Sequence, residues 1–270
     1  MLFSQYNDNR LMFVHRSDRH PANNEFPEIY LSACEIILPV SGDVSFMVEG
    51  EVYTPKFGDI MIFTPYELHK TIINSDSLYD RIVIQIRSDS FSDDAAANKI
   101  FAFLKNMNFG EVNLIKKTES QGTKISDYIK ALADIRSDNL NEIIPFLLPL
   151  LSEIKLLIEK RASPKEPEKI EISAEIIKYI NENLSSELVP DEIADRFHIS
   201  RSKLDKLFRK SFDTSVWSYI IRKRLHFAQE LIKSGERPTS VAAKCGFKDY
   251  TTFYKAYKAK FGLSPKEDKE

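Results

Sequence analysis

Lysine and arginine are unevenly placed along this 270-residue chain. Residues 196–260 hold 16 Lys+Arg and 5 Asp+Glu, a net of +11, against a net of −13 over the rest. A basic block inside an acidic chain is the footprint of a module that binds a polyanion. A solvated helical surface gives the same composition, so only spacing separates the two readings.

Other chemistry-bearing residues are sparse. Glu35 and His69 are one carboxylate and one imidazole, too few to close an oxygen/nitrogen metal site. His15, His20, His198 and His226 show no ligand spacing. Cys34 and Cys245 are the only cysteines, so neither a disulfide framework nor a thiolate cluster is expected. No Ser-His-Asp order, glycine-rich phosphate loop or isolated carboxylate pair stands out. The sequence therefore predicts no catalytic residue, no cofactor and no metal. The first residues, Met1-Leu2-Phe3-Ser4-Gln5, lack the basic and apolar regions of a secretory signal. The longest apolar stretch, residues 143–151, is interrupted by Pro145 and Pro149 and falls far short of the ~20 residues that span a bilayer. A cytoplasmic protein without membrane association is the expectation.

The elements that must position the cations come from periodicity. Apolar or β-branched runs at 11–14, 35–40, 44–48, 52–54, 60–63 and 81–86 alternate with turn chemistry such as Ser41-Gly42-Asp43, Glu49-Gly50-Glu51 and Phe57-Gly58-Asp59. Many short strands suggest a sandwich or barrel. From about residue 93 the period becomes helical, with candidates at 95–107 and 125–135 and an extra strand near 112–115. Ile144, Leu147/Leu148, Leu151, Ile154 and Ile158 form one stripe down a further helix. This stripe serves either packing on its own domain or an antiparallel dimer contact. Pro145 and Pro149 would kink that helix or delay its start. The polar, proline-bearing stretch 161–169 reads as a linker.

Beyond the linker the chain contains itself twice. Ala194 and Ala242 are 48 residues apart; Leu204/Phe253, Phe208/Tyr257 and Phe212/Phe261 are each 49 apart. Each copy reads helix, tight turn, helix, with Ser200 and Asp249 as N-caps of the second helices. The i, i+4 spacing buries one side of each second helix. The other side carries Arg201, Ser202, Asp205, Lys206 and Arg209 in the first copy, and Tyr250, Thr251, Thr252, Lys255 and Lys258 in the second. Cations and hydroxyls at the start of a second helix suit a helix-turn-helix seated in the major groove. Residues 216–233 predict a long amphipathic connecting helix. Trp217, Ile220, Ile221, Leu225, Ala228, Leu231 and Ile232 lie on its apolar side, and Arg222, Lys223 and Arg224 on or beside its polar side, with Arg222 and Arg224 as further candidate DNA contacts.

These strings resemble the AraC/XylS family of bacterial transcription regulators, whose DNA-binding region is a pair of helix-turn-helix units joined by a linker helix. The match runs over roughly residues 187–265. It includes Glu192-Ile193-Ala194, Ser200-x-x-x-Leu204-x-x-x-Phe208-Arg209-Lys210 and Arg222-x-Arg224-Leu225-x-x-Ala228. The closing Gly246-Phe247-x-Asp249 and Phe261-Gly262-x-Ser264-Pro265 are the most specific parts. Three positions depart from the family. Asp213 replaces the usual glycine and serves as a left-handed cap; Pro238 replaces an aliphatic residue; Asp205 puts an acid among base-reading positions, where it either accepts from cytosine N4 or repels phosphate at wrong sites.

The amino-terminal strands resemble the cupin barrel found at the front of such regulators, on Glu35-x₆-Gly42, the hairpin at 48–53, Phe57-Gly58-Asp59 and Pro65-x-x-x-His69. Ile29 and Leu31 stand where a metal-dependent cupin has its His-x-His pair. The resemblance implies an α+β protein: a cupin-like sensor barrel at 1–90, a helical dimerisation or packing region at 91–160, a linker at 161–170 and an all-α double helix-turn-helix at 171–267. It implies a DNA-binding regulator, homodimeric, with duplex DNA and RNA polymerase as partners and a small effector in the barrel. Glu35, Phe46, Tyr53 and His69 are the candidate effector-lining residues. A cupin-type isomerase or dioxygenase with an accessory helical domain, and an adaptor whose basic helices meet an acidic protein, are the competing readings.

Overall fold

A computed structural model describes residues 1–88, 91, 93–107, 112–161, 172–212 and 214–269. Its backbone divides into two compact units, residues 1–28 with 32–168, and residues 29–31 with 169–270.

The first unit contains strands β1 Leu2–Asn7, β2 Leu11–Asp18, β3 Cys34–Ser41, β4 Val44–Val48, β5 Glu51–Tyr53, β6 Ile60–Phe63, β7 His69–Ile73, β8 Tyr79–Ile86 and β9 Leu114–Ile115. The apolar runs of the sequence fall on these strands. Two strands have no such run: β1 (LFSQYN) is mixed in polarity, and β7 (HKTII) opens with two cationic or titratable residues.

The strands form two antiparallel sheets, one ordered β1-β2-β8-β3-β6-β9 and the other β5-β4-β7. The expected closed barrel is therefore corrected: no ladder joins the sheets among the described residues, and the unit is layered. One core cluster, with Ile37, Met61, Phe63 and Tyr79 from the large sheet and Val44, Phe46, Val48 and Ile73 from the small one, fills the space between the sheets. A second places Ile36, Leu38, Ile60, Ile62, Ile82 and Ile84 against helices α1 Ala95–Lys105, α2 Ile125–Asp134 and α3 Leu140–Arg161. With both faces of the large sheet covered, β6 (IMIF) is buried throughout rather than alternating.

Asp94 caps α1, accepting from the amides of Ala96 and Ala97. Helix α3 starts at Leu140 and runs through Pro145 and Pro149, so the prolines do not delay it. Leu147, Leu151, Ile154 and Ile158 of the sequence stripe are buried in the unit's own core, and Ile144 is half-buried against it. Outward, α3 leaves Phe146 and Leu156 exposed, at 37% and 56%.

The second unit contains α4 Ile172–Glu182, α5 Pro190–Arg196, α6 Arg201–Phe212, α7 Val216–Lys233, α8 Pro238–Lys244 and α9 Tyr250–Phe261. The linker expected at 161–170 lies, beyond Arg161, outside the described residues, as does the left-handed cap assigned to Asp213. Both helix pairs pack on α7. Phe208 of α6 meets Tyr219 edge-on at 5.1 Å. Leu225, Ala228 and Ile232 of α7 share a cluster with Val241, Ala242, Cys245, Phe253 and Tyr257. Asp268 ties the end of the chain to this cluster, accepting from Tyr257 Oη at 2.6 Å and Gln229 Nε2 at 2.7 Å. Burial pushes the Cys245 thiol up to about 12 and raises that of Cys34, so both are unreactive core residues. No helix among the described residues is long and apolar enough to cross a membrane.

Candidate nucleic-acid interface

The internal repeat of the sequence is a repeat of backbone geometry. Helices α5 and α8 are each seven residues long and begin on a proline, which needs no amide partner at a helix start. Each ends in the same paired closure. Ile199 N donates to Ala194 O and His198 N to Asp195 O; Phe247 N donates to Ala242 O and Gly246 N to Ala243 O. This double bond pattern requires a left-handed residue just past the helix. His198 (φ 53°) and Gly246 (φ 76°) supply it, 48 residues apart like the alanines. The extra residue of the second copy falls after this closure, before the next N-cap.

The caps are those the sequence indicates. Ser200 Oγ accepts from the Lys203 amide at 3.2 Å; Asp249 accepts from the Thr252 amide and hydroxyl, both at 2.8 Å. The Thr252 amide and hydroxyl hold the Asp249 carboxyl below the usual carboxylate range. Leu204 and Phe208 in α6, and Phe253 and Tyr257 in α9, are buried. Opposite them, Ser202, Lys206 and Arg209 are exposed on α6, and Tyr250, Thr251, Thr252, Lys255 and Lys258 on α9. Lys203 and Lys248 are exposed beside these faces and were not singled out from spacing. Their only sequence signal is charge next to an N-cap.

Asp205 is engaged with its own helix. Its Oδ2 accepts from Arg201 Nε at 2.9 Å, and Arg201 Nη1 lies 3.6 Å from Asp191 of α5.

Four sequence assignments on α7 are corrected. Arg224, expected to face DNA, is 3% exposed and donates to three backbone carbonyls: Leu184 at 3.0 Å, Gly246 at 2.9 Å and Ser186 at 2.6 Å. It fastens the loop before α5 to the turn between α8 and α9. Lys223, placed on or beside the polar side, is fully buried, while Arg222 is half-buried with its guanidinium 5.8 Å from the Tyr219 ring. Trp217, placed on the apolar side, is 46% exposed. It borders an open cleft of about 590 Å³ with Ile221, Leu188 and Phe247.

In the first unit, the four residues proposed to line an effector cavity occupy the layer between the sheets, but not as cavity walls alike. Glu35 and His69 close on each other, Oε2 to Nε2 at 2.8 Å. Gln85 Nε2 donates to the other Glu35 oxygen at 3.0 Å, and His69 Nδ1 lies 3.0 Å from the Glu67 carbonyl. A carbonyl only accepts, so the contact at Nδ1 is a hydrogen bond when that nitrogen carries the proton. The His69 ring stacks on Phe63 at 3.9 Å. The pair pins β7 of one sheet to β3 of the other. Phe46 is fully buried in packed core. Tyr53 alone keeps a half-exposed ring, its hydroxyl donating to Glu51 at 2.7 Å.

Residues 193–270 match the family model described as a helix-turn-helix domain. The Msm operon regulatory protein of Streptococcus mutans is 32% identical over 129 residues, which cover 47% of this chain and 45% of that protein. The chain thus spans about half the length of that relative. The transcriptional activator RhaS of Klebsiella pneumoniae is 20% identical over 244 residues, covering 90% of this chain and 87% of its own. Among solved structures, an AraC-type DNA-binding domain of Chromobacterium violaceum aligns at 25% identity over 36% of this chain and 88% of its own, with a TM-score of 0.35. ToxT of Vibrio cholerae aligns at 13% identity over 97% of this chain and 95% of its own, with a TM-score of 0.46. Over residues 193–270 the chain carries a helix-turn-helix domain, and it is similar to proteins named as transcription regulators.

Proposed function

We propose that this protein is a sequence-specific transcription regulator that inserts α6 and α9 into major grooves of one duplex. The observation that carries the reading is the pairing of two repeated units, each with its apolar stripe buried and an exposed face of cations and hydroxyls. Arg201, Ser202, Lys206 and Arg209 would work on one helix, and Tyr250, Thr251, Thr252, Lys255 and Lys258 on the other. Hydroxyls and lysines at these positions reach base edges; Arg209, further along α6, suits a phosphate. Arg224 is not a contact in this reading: it sets the second helix-turn-helix against the first.

The remaining parts of the reading are a homodimer, an effector taken by the amino-terminal unit, and RNA polymerase as a further partner. The outward residues of α3, Phe146 and Leu156, support self-association, because the inward stripe is already used. An effector would bind at the Tyr53 side of the inter-sheet layer, where a ring remains partly open. The enzyme reading has less behind it, since Glu35 and His69 pair with each other and with Gln85 and the Glu67 carbonyl across the two sheets.

In vitro selection from a random duplex library, followed by anisotropy titration of the winning site, tests the proposal. A selected motif split into two half-elements about one helical turn apart is expected. Binding that depends on salt but never on sequence would defeat it.

A further inference from the structure

Asp205 presents a puzzle of sign. An acid on the exposed side of a recognition helix repels phosphate, yet it sits one turn after Arg201 and grips it. We infer that Asp205 is a positioning residue that holds the Arg201 guanidinium edge-on to the groove, so that Arg201 reads a guanine; the inference rests on the DNA-binding reading above.

Arginine offers two bidentate edges, one of Nε with an Nη and one of the two Nη groups. Here Asp205 Oδ2 occupies Nε at 2.9 Å, which removes the first edge. The carboxylate grips through a single oxygen, because Oδ1 makes no hydrogen bond and is buried. Asp191 stands 3.6 Å from Nη1, too long for a hydrogen bond but close enough to balance charge from the α5 side. The guanidinium is thus bracketed by carboxylates on two helices, and among the described residues no hydrogen bond engages Nη1 or Nη2. The Nη1–Nη2 edge matches the paired acceptors N7 and O6, which guanine alone presents in the major groove. Arg201 opens α6, the end of a recognition helix that reaches base edges. Without the brace, a flexible arginine would fall back on any nearby phosphate, which gives affinity without discrimination. On α9, among the described residues, no carboxylate lies within 4 Å of Lys255 or Lys258.

The test uses the full chain and the duplex chosen by selection. Wild type, R201A, D205A, D205N and R201A/D205A are titrated against that duplex and against every single base-pair change in it. R201A should lose discrimination at one G·C pair, on the order of 10-fold or more. D205A should lose it at that same pair while binding other duplexes at least as well as wild type. D205N, whose amide oxygen still accepts from Nε, should keep most of it. The double variant should equal R201A, since a brace has nothing to hold once the arginine is gone. Two results overturn the inference. One is tighter binding by D205A to all duplexes with the preference intact, the signature of simple repulsion. The other is loss at a different pair that adds to the R201A effect, the signature of Asp205 reading cytosine itself. If wild type itself showed no preferred duplex, the DNA-binding reading would fall first, visibly apart from either.

Discussion

The two helix-turn-helix units share one backbone and differ in how they are closed and charged. The first turns on His198, a non-glycine residue at φ 53°, and is capped by the neutral Ser200. The second turns on Gly246 and is capped by the ionised Asp249. Gly246 has no substitute. A Cβ there would stand 2.7 Å from the Leu184 carbonyl and 2.8 Å from the Arg224 guanidinium, because the turn is where Arg224 fastens the two units together. The first recognition helix pairs its leading arginine with its own aspartate; the second is led by Tyr250, Thr251 and Thr252 behind the Asp249 cap. The two units therefore share a backbone and differ in the charge placed at the start of each second helix.

Substitutions ordered by size can break or sharpen this contrast. Phe253→Ala should cost about 3–5 kcal/mol by opening a cavity among α7, α8 and α9, measured by urea unfolding. An unchanged midpoint would show that the second unit does not depend on that core. Arg224→Ala should cost about 3 kcal/mol, because three carbonyls lose their donor in a place water reaches poorly. Its effect on DNA affinity should leave the salt slope unchanged. A slope reduced by about one would instead make it a phosphate contact.

Lys255→Ala should remove about 1–3 kcal/mol of preference at one base pair, read from anisotropy on altered sites. Arg209→Ala should weaken all duplexes alike and flatten the salt slope. Exchange of these two behaviours would reverse the roles given to these two side chains. His198→Gly should raise stability by up to about 1 kcal/mol, since glycine enters the left-handed region without a Cβ clash. Thermal unfolding that does not move upward would mean the histidine holds something besides the turn.

The smallest effect is in pH. Asp249 has a folded pKa below its ordinary value, so its cap contributes fully above that value and is lost as pH falls through the folded pKa. The start of α9 should fray below about pH 3.8 while that of α6, capped by a hydroxyl, does not. Amide exchange at Thr252 and Lys203 would show the difference, and Asp249→Ser should abolish it.

Much of the carboxy-terminal module was legible in the residues. Ala194 and Ala242, the caps Ser200 and Asp249, and the aromatic spacing of α6 and α9 are local signals, and each landed where expected. Arg224 was misread because a cation beside a polar stripe gives no sign of the carbonyls that another loop brings to it. Asp205 was left open between two roles because the partner it takes, Arg201, becomes evident only when the side chains are placed. The amino-terminal strands were largely found, but β1 and β7 were not, since mixed polarity hides a strand that lies at an edge or carries an interior histidine.

By itself, then, the sequence determined the elements and the repeated recognition helices, because caps, turns and i, i+4 stripes act between residues close along the chain. Only the tertiary structure decided that the strands make two layers instead of a closed barrel, that Glu35 and His69 spend their polarity on each other, and that Arg224 is a fastener. Those outcomes depend on which groups meet across 20 to 50 positions of chain, and burial forces each polar group that meets another there to pair.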